Sequence, residues 1–325
     1  MLRQIRSLRK ACGIRFREIA TDAPYKSIEI GFYDGYQDYD KVSNPEWSQV
    51  EYIVKKSGRP GDGVPHSFDL SRLRNLSSLK AIDLACDCDV YNLEHFSQGF
   101  FPDLTKLFLG YPKEGSWENV DFEALGRSCP NVKELQLKCY WRHKNSINSM
   151  AILPEQWKRN LTMLSVTGSS IRSLDGLLPH GGDTLPIKML DLSNCNQLTS
   201  LAGINMPLLE KIHLVDTRID EKELVALKSC SRLTHFTASH CPNLKSIEQL
   251  GPDVLQRLKY VRVDNSIADM ENFAASLNPA VLEVLYAGDG GYDGWELFYQ
   301  SYGHDRFPRT RINNHEPLVS VAVSD

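Results

Sequence analysis

Three clusters carry side chains whose types and spacing could do chemistry. Cys86-Asp87-Cys88, flanked by Asp83 and Asp89, offers soft and hard metal ligands. A single intervening residue puts both thiols on one strand face, but a third and fourth soft ligand are not evident, so these read as structural residues. His235, His240 and Cys241 also have ligand types. His235 is expected to point out of a strand and Cys241 into a core, so they diverge and no shared ion is expected. The run Gly288-Asp289-Gly290-Gly291-Tyr292-Asp293-Gly294 lacks phosphate-loop spacing and any following Lys-Ser or Lys-Thr, and reads as a turn. No G-x-S-x-G, H-E-x-x-H, Walker loop or dinucleotide fingerprint occurs. No catalytic residue, cofactor or metal site is therefore expected, and the chain reads as a non-enzyme.

The eight cysteines are Cys12, Cys86, Cys88, Cys129, Cys139, Cys195, Cys230 and Cys241. No C-x-x-C pairs them, no secretory apolar region opens the chain, and several fall at repeated positions. Free, reduced thiols and an intracellular location, cytoplasmic or nuclear, are expected. The sequons at Asn75 and Asn160 are discarded for the same reason. The chain has 325 residues, 42% hydrophobic and 24% charged. That composition excludes collagen and low complexity, and no apolar run is long enough to span a bilayer. A net charge of −4 argues against a general nucleic-acid binder.

What positions these side chains is a repeat. An apolar residue, two free positions, an apolar residue, one free position and an apolar residue recur along the chain. The units are Leu79-Ile82-Leu84, Leu104-Leu107-Leu109, Val132-Leu135-Leu137, Leu161-Leu164-Val166, Ile187-Leu190-Leu192, Leu209-Ile212-Leu214, Leu233-Phe236-Ala238, Leu258-Val261-Val263 and Leu282-Leu285-Ala287. Successive units start 22 to 29 residues apart. Two weaker matches precede them, Tyr25-Ile28-Ile30 and Trp47-Val50-Tyr52. The ninth position of the unit holds Ser169, Cys195, Thr217, Cys241 and Ser266 in succession. Each is small and can donate to backbone carbonyls where a strand turns sharply out of its sheet.

The stretches "CPNVKELQL", "LDLSNCNQLTSL" and "SRLTHFTASHCPNLKSI" resemble the leucine-rich repeat superfamily, most of all its cysteine-containing and ribonuclease-inhibitor-like branches. The resemblance covers about residues 25–290 and implies an α/β solenoid of about 9–11 repeats. It implies a curved parallel sheet on the concave face, and helices or irregular turns on the convex face. Two inward residues spaced by two fit a strand. Residues 121–127 and 220–228 read as helical returns; in the second, acids lead, a lysine trails, and Leu224 and Leu227 share one face. Gly176 and Gly203 imply shorter, irregular returns. Residues 55–67 read as a loop that lengthens one repeat to 32 residues. No unit buries its apolar face alone, so stacking must.

The ends differ from the middle. Residues 1–20 carry six basic groups and one acid, and the remaining chain is net −9. Apolar residues every three or four positions make residues 1–24 a basic amphipathic helix, either a cap on the first repeat or a mitochondrial presequence. Residues 291–325, with Trp295, Phe298, Tyr299, Tyr302 and Phe307, read as an aromatic cap and tail.

Function is expected on the concave sheet. Position three of the unit reads Lys106, Glu134, Met163, Met189, Lys211, His235, Tyr260 and Val284. Position five reads Phe108, Gln136, Ser165, Asp191, His213, Thr237, Arg262 and Tyr286. Charges are mixed, so nucleic acid is not expected. Phe108, Met163, Met189, His213, His235, Tyr260, Arg262 and Tyr286 are the expected protein-binding residues, exposed aromatic, apolar and basic groups being typical interface anchors. Near the N-terminus position five reads Glu29, Glu51 and Asp83, an acidic column that needs a basic neighbour. The leading expectation is a protein-interaction scaffold, a subunit or adaptor of a larger intracellular assembly. A mitochondrial structural or assembly subunit, a ubiquitin-ligase substrate receptor without a visible F-box, and an enzyme with its site in an insertion are the alternatives.

Overall fold

Each repeat contributes one short strand to a parallel sheet, and the period-two burial of its apolar residues is what fixes the strand. The computed structural model describes residues 27–30, 50–55, 66–85, 88–112, 117–139, 147–179, 183–263, 276–278, 280–282 and 284–287. The N-terminal helix, the C-terminal cap, Ser266 and most of the 55–67 loop lie outside them. The chain divides into two compact units, one covering 1–147 and 151–166, the other 148–150 and 167–325.

In the first unit the strands β1 (Ser27–Ile30), β2 (Tyr52–Lys55), β4 (Ala81–Asp83), β6 (Lys106–Leu109), β8 (Glu134–Lys138) and β9 (Met163–Thr167) follow one another in a parallel sheet. A second, three-stranded parallel sheet runs beside them: β3 (His66–Asp69), β5 (Cys88–Tyr91) and β7 (Tyr111–Pro112). It buries Phe68 and Val90. Asp69 closes it by accepting from the backbone N–H of Ser71 at 3.0 Å and from the Asn92 amide at 2.9 Å. The loop read over residues 55–67 therefore ends in a strand that begins at His66. In the second unit β10 (Met189–Asp191), β11 (Lys211–His213), β12 (His235–Ala238), β13 (Tyr260–Val263) and β14 (Val284–Ala287) pair in parallel.

The core is the predicted one. All three apolar positions are buried in each of the eight units from Leu79-Ile82-Leu84 to Leu258-Val261-Val263. A recurring backbone bond registers the repeats. The carbonyl of Lys80 accepts from the N–H of Thr105 and Lys106, that of Thr105 from Lys133 and Glu134, and that of Lys133 from Thr162 and Met163. The same doubled acceptance recurs in the second unit at Lys188, Glu210 and Thr234. The predicted ninth-position donation to a backbone carbonyl forms at Thr217, which donates to Leu214, and at Cys241, and side chains of successive units also meet. Ser169 Oγ lies 3.0 Å from Cys195 Sγ, Thr217 Oγ1 3.4 Å from Cys241 Sγ, and Cys241 donates to the Leu214 carbonyl. One position earlier, Gly168, Asn194, Asp216 and His240 all adopt a left-handed backbone. Gly bears that conformation freely, and Asn, Asp and His bear it better than other residues, so turn geometry accounts for His240.

The returns follow their caps and spacing. Helix α1 (Leu93–Phe96) buries Phe96 against Phe101, rings stacked at 4.4 Å. Helix α2 (Phe122–Ser128) starts at Asp121, whose carboxylate accepts from the Ala124 N–H at 2.8 Å. It packs on the next return, α3 (Glu155–Asn160), through an edge-on contact of Phe122 with Trp157. Each of two buried indoles donates to a carbonyl one repeat away, Trp117 to Lys138 and Trp157 to Cys129. The 220–228 return is a 3-10 helix, Glu221–Ser229, capped by Asp220. Its buried residues explain the difference from an α-helix: Leu224, Leu227 and Cys230 are spaced by three, the 3-10 period. The last described return is α4 (Pro252–Leu255), with Pro252 at its first turn.

The second weak unit is shifted by three residues from its expected place. β1 and β2 align Ile28 with Ile53, and β2 and β4 align Ile53 with Ile82. The unit is thus Val50-Ile53-Lys55, with Val50 and Ile53 buried, rather than Trp47-Val50-Tyr52. The repeat then starts 29 residues before Leu79 rather than 32. Position five becomes Glu29, Val54 and Asp83, and the acidic column dissolves. Its acids find lysines from the following repeats: Lys80 meets Glu51 at 3.0 Å and Lys106 approaches Asp83 at 3.7 Å.

Candidate protein-binding surface

Alternation along each strand puts positions three and five on the face of the sheet away from the apolar core. Register then stacks equal positions into rows. In the second unit Met189, Lys211, His235, Tyr260 and Val284 are direct neighbours across five strands. Asp191, His213, Thr237, Arg262 and Tyr286 form the adjacent row. The fold thus brings together six of the eight expected binding positions: Met189, His213, His235, Tyr260, Arg262 and, by its backbone in β14, Tyr286. Phe108 and Met163 stand at the same positions in the first unit.

Exposure departs from expectation. Phe108, Met163, Met189 and Arg262 were expected to be exposed; they retain only 3%, 3%, 6% and 5% of their accessible surface. Adjacent strands are about 4.8 Å apart, so long side chains in one row cover one another. At Phe108 the cover is the Lys106 ammonium, 4.2 Å above the ring centre, a cation–π contact. His213, His235 and Tyr260 are half-buried, and they are the accessible members of the surface. The rings of His235 and Tyr260 stack at 5.9 Å and 15°, which fixes both on the sheet.

No family model matches the chain, and no curated protein matches it. Among solved structures it is similar to an internalin from Listeria monocytogenes, at 14% identity and a TM-score of 0.45, over 66% of this chain and 54% of that one. It is also similar to the mouse RP105/MD-1 complex, at 16% identity and a TM-score of 0.36, over 74% of this chain and 48% of that one. A third is the TLR13–ssRNA13 complex, at 16% identity and a TM-score of 0.37, over 67% and 32%. The matched segments span about half or less of those chains.

Electrostatics on the second-unit face centre on His213. Burial pushes its pKa below the ordinary imidazole range; the neighbouring Asp191 carboxylate opposes the shift, and Lys211 and Arg262 reinforce it. At neutral pH the ring is therefore uncharged. His213 Nε2, Thr237 Oγ1 and Ser239 Oγ on this face are shielded from solvent and have no hydrogen-bond partner. Sequence reasoning passed over Thr237 and Ser239, because a hydroxyl on a strand face has no pattern of its own. The register of Thr237 between His213 and Arg262 is what marks it.

The cysteines with described side chains are structural rather than reactive groups. Cys129, Cys139, Cys195, Cys230 and Cys241 are buried thiols that form no disulfide. Burial pushes the Cys129 and Cys195 thiols up to about 12 and Cys230 to about 11, far from a nucleophilic thiolate at neutral pH. Cys86 and Asp87 lie outside the described residues. Among those described, no cluster of histidine, cysteine and carboxylate side chains has the makings of a metal site.

Proposed function

We propose that this chain is a non-enzymatic protein-interaction scaffold that holds a protein partner on the second-unit sheet face, as a subunit or adaptor of a larger intracellular assembly. The observation that carries the reading is the pair of registered rows in which Tyr260, stacked on His235, stands beside Arg262 and the backbone position of Tyr286. Tyrosine and arginine supply most of the binding energy at protein interfaces, and a tyrosine already held by stacking loses little further freedom on binding. The mixed charge of the rows supports a protein partner over nucleic acid. Among the described residues no helix is long and apolar enough to cross a membrane.

Affinity capture from the native extract tests the reading. A His235→Ala/Tyr260→Ala variant changes only half-buried side chains, so it keeps the fold and is expected to lose a partner that the wild type retains. A Tyr260→Ala/Arg262→Ala/Tyr286→Ala variant is expected to lose the same partner, with some loss of stability because Arg262 is buried. Undiminished yield from both variants would remove this face as the interface.

A further inference from the structure

Elsewhere in the repeats hydroxyls are satisfied systematically. Thr105, Thr162 and Thr234 each bond the carbonyl of the residue just before a preceding strand, Ser128 bonds Gly99, and Thr217 bonds Leu214. Against that pattern the second-unit face leaves His213 Nε2 on β11, Thr237 Oγ1 on β12 and Ser239 Oγ, just after β12, shielded and unpartnered. Thr237 and Ser239 retain 4% and 3% of their accessible surface. A buried polar atom without a partner costs of the order of 1–3 kcal/mol, so three together are an expense that folding alone does not explain. Both hydroxyls can donate, and a neutral imidazole can donate from Nε2 in one tautomer. Lys211 stands on one side of this cluster and Arg262 on the other, with the Asp191 carboxylate one strand beyond His213. Asp191 is itself occupied by the backbone N–H of Ser193 at 3.0 Å.

We infer that the row His213–Thr237–Arg262, with Ser239, is a receptor for a carboxylate, namely an aspartate or glutamate side chain of the protein partner. Donors flanked by two cations complement an anionic acceptor, and a planar carboxylate offers enough lone pairs to engage two hydroxyls and a guanidinium together. His213, the half-buried member, is the point of entry to Thr237, its direct neighbour across the sheet. The inference rests on the scaffold reading above and adds the chemistry of what that face recognises.

The test uses the full chain and a short peptide rich in aspartate and glutamate, with an asparagine and glutamine counterpart as control. Binding is followed by titration calorimetry and by the ring resonances of His213. The acidic peptide is expected to bind saturably and shift those resonances, and the amide peptide to bind about tenfold more weakly or less, as for loss of charge-assisted bonds. Thr237→Val, which keeps the side-chain shape, is expected to weaken the acidic peptide about fivefold to tenfold, and Ser239→Ala likewise, while both remain folded. Equal binding of the two peptides, or wild-type affinity in both variants, overturns the inference. So does absence of saturable binding up to about 10 mM peptide. If acetate at matched carboxylate concentration reproduces the shift, the row takes free anions and the peptide assignment falls. Loss of partner capture in His235→Ala/Tyr260→Ala alongside unchanged peptide binding in both Thr237→Val and Ser239→Ala would sink only the carboxylate receptor and leave the scaffold standing.

Discussion

Replacing Leu190 by alanine tests the strand register at its centre. Leu190 is fully buried, pairs with Ile212 across the sheet, and sits in a row that continues through Phe236 and Val261, all fully buried. The change removes three carbon groups, about 2.4 kcal/mol of transfer free energy at ~0.8 kcal/mol each. The cavity left between close-packed neighbours adds to it, for a total of about 3–4 kcal/mol. Met189, one residue away on the opposite face, is the control. It is also buried, at 6% exposure, so its loss is not negligible as alternation alone would have it. Its direct neighbour on that face is Lys211, a flexible side chain that can close over a gap, and about 1–2 kcal/mol is expected. Chemical denaturation measures both, with m unchanged between variants. In thermal melts the Leu190→Ala loss corresponds to about 6–15 °C. If Met189→Ala proves as costly as Leu190→Ala or costlier, the two faces of β10 have been interchanged and the placement of every row falls with them.

Four further outcomes follow from other parts of the molecule. Gly126→Ala is expected to destabilise by about 1–3 kcal/mol although alanine favours helices, because a methyl group there would stand 2.8 Å from Cβ of the rigid Pro154 ring; a raised melting temperature would contradict that packing. Asn194, at φ 63°, should tolerate glycine but lose about 1–2 kcal/mol on replacement by valine, read from the same melts. The depressed pKa of His213 means that the unfolded chain takes up this proton before the folded one. Stability from this group is complete above the ordinary imidazole pKa of about 6.5 and declines as pH falls through it, by at most ~1.4 kcal/mol per pH unit, so His213→Gln should flatten the acid limb of melting temperature against pH. Cys195 should resist a thiol reagent in the native protein and react only on unfolding; rapid native labelling would contradict its burial.

The core was legible because stacking repeats one pattern. Leu107, Leu135, Leu164, Leu190 and Ile212 occupy one register position and say the same thing in every unit. The failures came where a unit departs from that pattern. At β2 the sixth position is Lys55, which a search for apolar residues rejects, so Trp47-Val50-Tyr52 looked the better match than Val50-Ile53-Lys55. The second sheet was missed because β7 is only the pair Tyr111 and Pro112, too short to show a period. The 220–228 return was read as helical from its charges and from Leu224 and Leu227 three apart; Cys230, buried three residues further on, is the sign that the helix is of the 3-10 type. On the candidate surface, alternation told which face Phe108, Met189 and Arg262 occupy but could not tell their exposure. That depends on how neighbouring rows lie over one another, as Lys106 does over Phe108. The unpartnered hydroxyls of Thr237 and Ser239 had no sequence signal at all; only the register and the absence of a partner in the folded chain mark them.

Site-specific photo-cross-linking bears most directly on the claim that this sheet face holds a protein. A photoreactive benzoylphenylalanine in place of Tyr260 puts the probe on the face, and one in place of Val225, which is 46% exposed on a return, puts it away from the face. The scaffold reading predicts a discrete cross-linked protein from position 260 in native extract, absent from position 225 and lost when His235→Ala is added. Equal adducts from both positions, or a discrete adduct from position 225 alone, would contradict it.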